Sequence, residues 1–145
     1  MNVSEQLLLL HRLLNKSWNA EELDLSYNEF EYLHCIHVAE QVDPDEYDMQ
    51  HDDSTHLSSL ANDLQVKKSS VSVMLNKLEK RGLTQRVTCR YDARAQHILT
   101  TEKGREYLAK AAQSIYETKE QQLKQKLEPQ EFEQLNQLLH KVLNT

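Results

Sequence analysis

Near the start of the chain, Leu7, Leu10 and Leu14 recur at helical spacing, with Leu8, Leu9 and Leu13 widening the stripe. A helix apolar on more than one face needs more than one partner, so the pattern predicts burial in an oligomer. Ser26-Tyr27-Asn28-Glu29 reads as a capping box that opens a second helix to about Gln41, with Phe30, Leu33 and His37 on one face. From Val42 to Ser54 periodicity gives way to an acidic stretch with Pro44, which predicts a loop. Thr55 is placed as the N-cap of a short third helix with Leu57, Leu60, Ala61 and Leu64 inward. Gln65 and Val66 fit a tight turn. A fourth helix runs from about Lys68 to Arg81 with Val71, Met74, Leu75 and Leu78 on one face, and Gly82 stops it. Leu83–Arg90 and Gln96–Thr100 have strand composition, and Tyr91–Ala95 between them suits a hairpin tip. Thr101 caps a long helix from Glu102 to about Leu127. Pro129 starts a last helix striped by Phe132, Leu135, Leu138, Leu139 and Val142.

Two Gly and two Pro in 145 residues argue against a turn-rich sandwich or barrel. The longest strictly apolar run, Leu7–Leu10, is too short to span a bilayer, so a soluble, cytoplasmic chain with no membrane partner is expected. Cys35 and Cys89 make no disulfide framework. The net charge of −6 conceals a segregation. Residues 1–55 hold two Lys or Arg against 13 Asp or Glu, whereas residues 56–94 hold eight against three. A basic block inside an acidic chain marks a face suited to phosphate.

A short helix, a tight turn, a second helix and a basic hairpin follow the order of a winged helix-turn-helix. Opposite its core stripe, the fourth helix carries Ser69, Ser72, Val73, Asn76 and Lys80. Hydroxyls near a helix start, backed by Lys67 and Lys68, suit phosphate oxygens, because free N–H groups and the helix dipole point the same way. Asn76 has the donor and acceptor that an adenine edge requires in the major groove. Arg86, Arg90 and Arg94 are long cations in the hairpin that can reach a neighbouring groove or backbone. No nucleophile–base pair, phosphate-cradling Gly loop or complete metal motif supports catalysis, so the expectation is a binding protein and not an enzyme.

The segments LSSLANDLQV, KKSSVSVMLNKLEKRGL, the wing YDARAQ and the exit TTEKGREYL resemble the MarR family of bacterial winged-helix transcription regulators. The resemblance is strongest over Leu57–Arg94 and extends more loosely over Ser26–Tyr107. It implies a single MarR-like domain, mainly α with a small β-wing. About residues 26–101 would form the winged helix-turn-helix, and 1–20 and 102–145 the dimerisation helices. It further implies a homodimer on a palindromic double-stranded operator, acting as a repressor that responds to a small-molecule effector. Ser69, Ser70, Ser72, Asn76 and Lys77 on the recognition helix, with Arg90 and Arg94 in the wing, match the family's DNA-contacting positions, and Asp92 with Arg94 matches its Asp-x-Arg. Three positions depart from the pattern. Ala95 and His97 stand where a further acid and Arg are common. Val73 replaces a polar or basic residue. Lys67 occupies the usual N-cap Asp or Ser, so the recognition helix lacks a side-chain cap, at a cost of about 1 kcal/mol.

Two other regulatory chemistries are legible. His34, Cys35 and His37 on one helix, with His51 and His56 shortly after, offer the imidazoles and thiolate that a zinc-like ion uses, although no CxxC or HxxxH spacing is present. Without such an ion no cofactor is expected. Cys35 beside His34 invites a redox reading through a lowered thiol pKa, and Cys89, in phase with Val87, is placed on the packed side of its strand. Trp18 and Tyr27 could line an effector pocket or belong to the core. A winged-helix protein–protein adaptor, whose basic block meets an acidic partner, is the alternative from another class; the serines at the recognition-helix start favour DNA.

Overall fold

The computed structural model describes residues 1–16, 18–40 and 55–144. The acidic stretch 42–54, with His51, lies outside them. Met1–Ala111 forms one compact unit and Ala112–Thr145 a second.

In the first unit the core is built on α3 (Tyr27–Glu40). Its capping box forms as the sequence predicts: the Ser26 N–H donates to Glu29 Oε1 and the Glu29 N–H to Ser26 Oγ, both at 3.1 Å. Phe30, Tyr32, Leu33, Ile36 and Ala39 are buried, whereas His37 is half-buried beside Glu40, so the inward face is wider than the predicted stripe. A single turn, α2 (Ala20–Leu23), precedes it and was not legible in the apolar pattern. Trp18 packs against Tyr27 and Phe30 at ring separations of 5.4 and 5.1 Å and donates its indole N–H to the Leu25 carbonyl, so these aromatics brace the approach to α3.

Helices α4 (Leu57–Leu64) and α5 (Lys68–Lys80) pack on α3 through Leu60, Ala61, Val71, Leu75 and Leu78, all buried. Gln65 takes a left-handed φ of 54°, and the N–H groups of Gln65 and Val66 close on α4 carbonyls, which makes the turn between the two helices. At the far end of α5, Gly82 has φ +72°, and the N–H of Leu83 reaches back to the Leu78 carbonyl, a Schellman stop. One boundary differs from expectation. The N-cap of α4 is His56, not Thr55, and among the described residues no side chain caps that end. The Thr55 hydroxyl is instead 2.7 Å from His97 Nδ1, because the chain ahead of α4 pairs with the second wing strand and turns Thr55 toward it.

Strands β1 (Thr84–Thr88) and β2 (Gln96–Thr100) form an antiparallel hairpin in the register Thr84↔Thr100 to Thr88↔Gln96. Cys89 is buried as expected, but Val87, in the same phase, is nearly half exposed. The pleat ends at Thr88. Beyond it the Cys89 N–H donates to the Ala95 carbonyl and closes the wing tip, so strand alternation is not what buries the thiol. Two carboxylates join this frame to the helices. Glu40 at the end of α3 accepts from the backbone N–H of Thr100 and from its hydroxyl. Glu29 receives Arg81 Nη1 at 2.5 Å.

Thr101 accepts the Gly104 N–H at 3.0 Å and opens α6 (Glu102–Lys124), as its position predicts. A Cβ at Gly104 would stand 2.1 Å from the Leu83 carbonyl oxygen, so the start of α6 can approach the root of β1 this closely only with glycine there. No residue of α1 (Val3–Lys16) is buried, and Leu7, Leu8, Leu10 and Leu14 are each more than two-fifths exposed.

The second unit holds the end of α6 and α7 (Pro129–Leu143). Phe132 and Leu135 are half-buried there, and Lys124 lies over the Phe132 ring at 5.1 Å. Leu138, Leu139 and Val142 remain exposed.

Candidate nucleic-acid interface

The apolar period of α5 puts Val71, Leu75 and Leu78 against the core with no exposure, which forces the intervening polar residues outward. Lys67, Lys68, Ser69, Ser70, Asn76 and Lys77 are exposed, as is Val73 at 72%, while Ser72 is half-buried at the edge of the face. Lys67 is the N-cap residue without a side-chain bond to the helix, as expected, so the first turn presents backbone N–H groups flanked by two ammonium groups and two hydroxyls.

In the wing, Arg90 and Arg94 are exposed, the Arg94 side chain at 94%. The Asp92 carboxylate accepts the Arg94 backbone N–H at 3.0 Å and faces its Nε at 3.4 Å, the pairing that Asp-x-Arg suggests. The backbone N–H of Arg94, and then its guanidinium, hold the Asp92 carboxyl below the usual range. Tyr91, beside them, is 79% exposed.

Arg86 behaves differently from a freely reaching cation. Its Nε lies 2.5 Å from Glu79 Oε1 and its Nη2 donates to Asn76 Oδ1 at 2.9 Å. It therefore braces β1 against α5 and occupies the acceptor of the very Asn that an adenine contact would use. Arg86 and Arg94 also line a cleft of about 280 Å³ with His56, Ser58 and Gln96.

Sequence reasoning did not single out Arg81. It joins Glu29 at 2.5 Å and Asp24 at 3.2 Å, and its guanidinium lies 5.7 Å from the Tyr107 ring centre. Burial pushes the Glu29 carboxyl up, but the Ser26 backbone N–H and Arg81 outweigh it and hold the group below its ordinary value of 4.5. The pair ties the start of α3 to the end of α5 and so sets the tilt of the outward face.

The histidines divide in a way the sequence did not foretell. His34 is exposed and stacks on Phe30, and His37 lies 3.6 Å from Glu40. Neither joins Cys35 in a group of three potential ligands among the described residues. Burial, and then Asp63, push the Cys35 thiol up rather than down, which corrects the expectation of a reactive thiolate beside His34. His56 instead meets Cys89 and His97 at the base of the wing loop.

The family model for MarR matches residues 25–95, which take in α3, both helices of the turn, the first wing strand and the wing loop. Over this winged-helix unit the chain matches the MarR family. Solved structures agree over 99% of its length. The reduced form of MarR from E. coli superposes with a TM-score of 0.79 at 21% identity, covering 97% of that chain. MepR of S. aureus bound to DNA gives 0.69 at 22% identity and 98% coverage. MepR described as a transcription regulator of the S. aureus multidrug efflux pump MepA gives 0.74 at 21% and 98%. In the winged-helix fold shared with these structures, α5 takes the place of the second helix of the turn and β1–β2 that of the wing. No helix among the described residues is long and apolar enough to cross a membrane.

Proposed function

We propose that this protein is a cytoplasmic MarR-family transcription regulator that binds a palindromic duplex operator as a homodimer. The observation that carries the reading is one exposed polar face on α5, with Lys67, Lys68, Ser69, Ser70, Asn76 and Lys77, continued by Arg90 and Arg94 of the wing. Its likeness to the S. aureus MepR–DNA complex supports the same orientation toward DNA. A repressor role is supported by likeness to MarR, called a multiple antibiotic resistance repressor, and response to a small-molecule effector is part of the same proposal.

Competition between an operator drawn from the protein's own upstream region and random duplex tests the division of labour. Arg94 reaches phosphate or the minor groove, so Arg94→Ala weakens binding to all sequences alike. Asp92→Ala does the same more mildly with the fold intact, since an exposed pair contributes below about 1 kcal/mol to stability. Asn76→Ala relaxes discrimination at one base pair by about 1–3 kcal/mol once Arg86 releases its acceptor. An altered sequence preference in Arg94→Ala with none in Asn76→Ala would refute the assignment.

The dimer rests on the leucines of α1 and on Leu138, Leu139 and Val142 of α7, which each unit leaves exposed. Burying such a side chain stabilises by roughly 1.5–3 kcal/mol, which favours a second copy as cover. Sedimentation at micromolar concentration is expected to show a dimer; a stable folded monomer overturns this.

A further inference from the structure

We propose that His56, Cys89 and His97 form a binding site for one zinc-like divalent ion at the base of the wing loop, and that the ion fastens the wing to the start of α4.

One ligand atom from each residue lies within 4.8 Å of the other two. The three come from separate segments held by backbone hydrogen bonds rather than from neighbouring surface side chains. His56 and His97 form an isolated antiparallel bridge, and the Ile98 N–H donates to the Thr55 carbonyl at 3.0 Å. Cys89 follows β1, with its N–H on the Ala95 carbonyl at 3.1 Å. The two imidazole rings stand 4.5 Å apart, and Cys89 is only 3% exposed.

Two imidazoles and a thiolate are a borderline-soft set of the kind zinc takes, unlike the all-oxygen sets of calcium or magnesium. Zn–N bonds of about 2.0–2.1 Å and a Zn–S bond of about 2.3 Å require ligand atoms roughly 3.3–3.7 Å apart at tetrahedral angles. Closing the cluster by about an ångström around the ion meets that requirement. The Thr55 hydroxyl, buried and 2.7 Å from His97 Nδ1, supplies the outer hydrogen bond that commonly fixes a ligating imidazole, so Nε2 would be its ligating nitrogen. Water completes the fourth position. On binding, the Cys89 S–H bond breaks, a Zn–S bond forms and the proton leaves to solvent, with no change of oxidation state.

The position gives the ion a consequence. Arg90, Asp92 and Arg94 all lie between Cys89 and His97, so the two ligands clasp the base of the loop that carries the wing cations. An ion there would hold that loop in one pose relative to α4 and α5. Its effect on DNA rests on the function proposed above; its binding does not.

Cobalt replaces zinc as a spectroscopic probe on the full chain. Titration with Co²⁺ is expected to produce a thiolate-to-cobalt charge-transfer band and tetrahedral ligand-field bands, saturating at one ion per chain and bleached by Zn²⁺. Cys89→Ala abolishes the charge-transfer band, and Cys35→Ser leaves it unchanged. His97→Gln and His56→Gln weaken binding. Thr55→Val, which retains all three ligands, weakens it about 10–100-fold. Zinc also slows amide exchange across residues 89–97 in the parent protein and not in Cys89→Ala. No band in the parent protein, a band that survives Cys89→Ala, or one lost in Cys35→Ser overturns the site. Unchanged exchange in the zinc-loaded protein overturns the fastening of the wing. A protein that takes cobalt as described but binds no duplex at low salt overturns the proposed function and leaves the metal site standing.

Discussion

Affinity for duplex DNA is expected to fall about ten-thousand-fold between 50 and 200 mM monovalent salt. Lys67, Lys68, Arg90 and Arg94 are exposed, and each can neutralise a phosphate and release its condensed counterion. Four such contacts from each of two copies give a slope of roughly −7 in log affinity against log salt, at about −0.9 per contact. The acidic balance of the chain does not cancel this effect. Exposed charges act over a Debye length of about 10 Å at 0.1 M salt, so the local basic face and not the net charge of −6 governs the encounter. Arg86 is left out of the count because Glu79 and Asn76 hold it. Arg86→Ala should therefore change the slope less than Arg94→Ala does. A slope near zero would remove DNA from the reading.

Arg81→Ala is expected to cost about 2–3 kcal/mol of stability at neutral pH, because it takes the nearest cation from the buried Glu29 carboxylate and leaves it the Ser26 N–H and Lys77 Nζ at 3.9 Å. The figure sits below the 3–5 kcal/mol typical of a fully buried pair, roughly in keeping with the 26% exposure that Arg81 retains. The pH dependence identifies the cause. Glu29 titrates in the folded protein below its ordinary value of 4.5, so its contribution is complete above that value and lost as pH falls through the lower folded one. Without Arg81 the carboxyl loses two of the influences that lower it and keeps those from Ser26, so protonation costs the variant less than it costs the parent. The gap between the two should therefore narrow as pH drops below 4.5. Glu29→Gln in the Arg81→Ala background should recover part of the loss at neutral pH. Denaturant unfolding of the parent, Arg81→Ala and the double variant at neutral pH and below 4.5 measures this. An Arg81→Ala variant as stable as the parent at neutral pH would show that the ion pair does not hold α3 to α5.

What the sequence determined by itself is whatever short-range chemistry decides. The spacing of Val71, Leu75 and Leu78 requires a helix with one dry face, and that alone turns Ser69, Asn76 and Lys77 outward. The Ser26–Glu29 box, the stop at Gly82 and the Thr101 cap are bonds within a few residues, so their positions in the chain predict them. Lys67 at the start of the recognition helix is legible for the same reason. The Asp92–Arg94 pair spans two residues and was also visible. Pairings across the fold were not. Arg81 meets Glu29 across 52 positions, Thr100 meets Glu40 across 60, and Thr55 meets His97 across 42. No periodicity relates such partners; the packing of α3, α5 and the wing places them together. The same packing holds Arg86 on Glu79 and Asn76. It also drew His56 away from the histidines of α3 to Cys89 and His97, because a β-bridge ahead of α4, which only the folded chain can form, sets which side chains share a site.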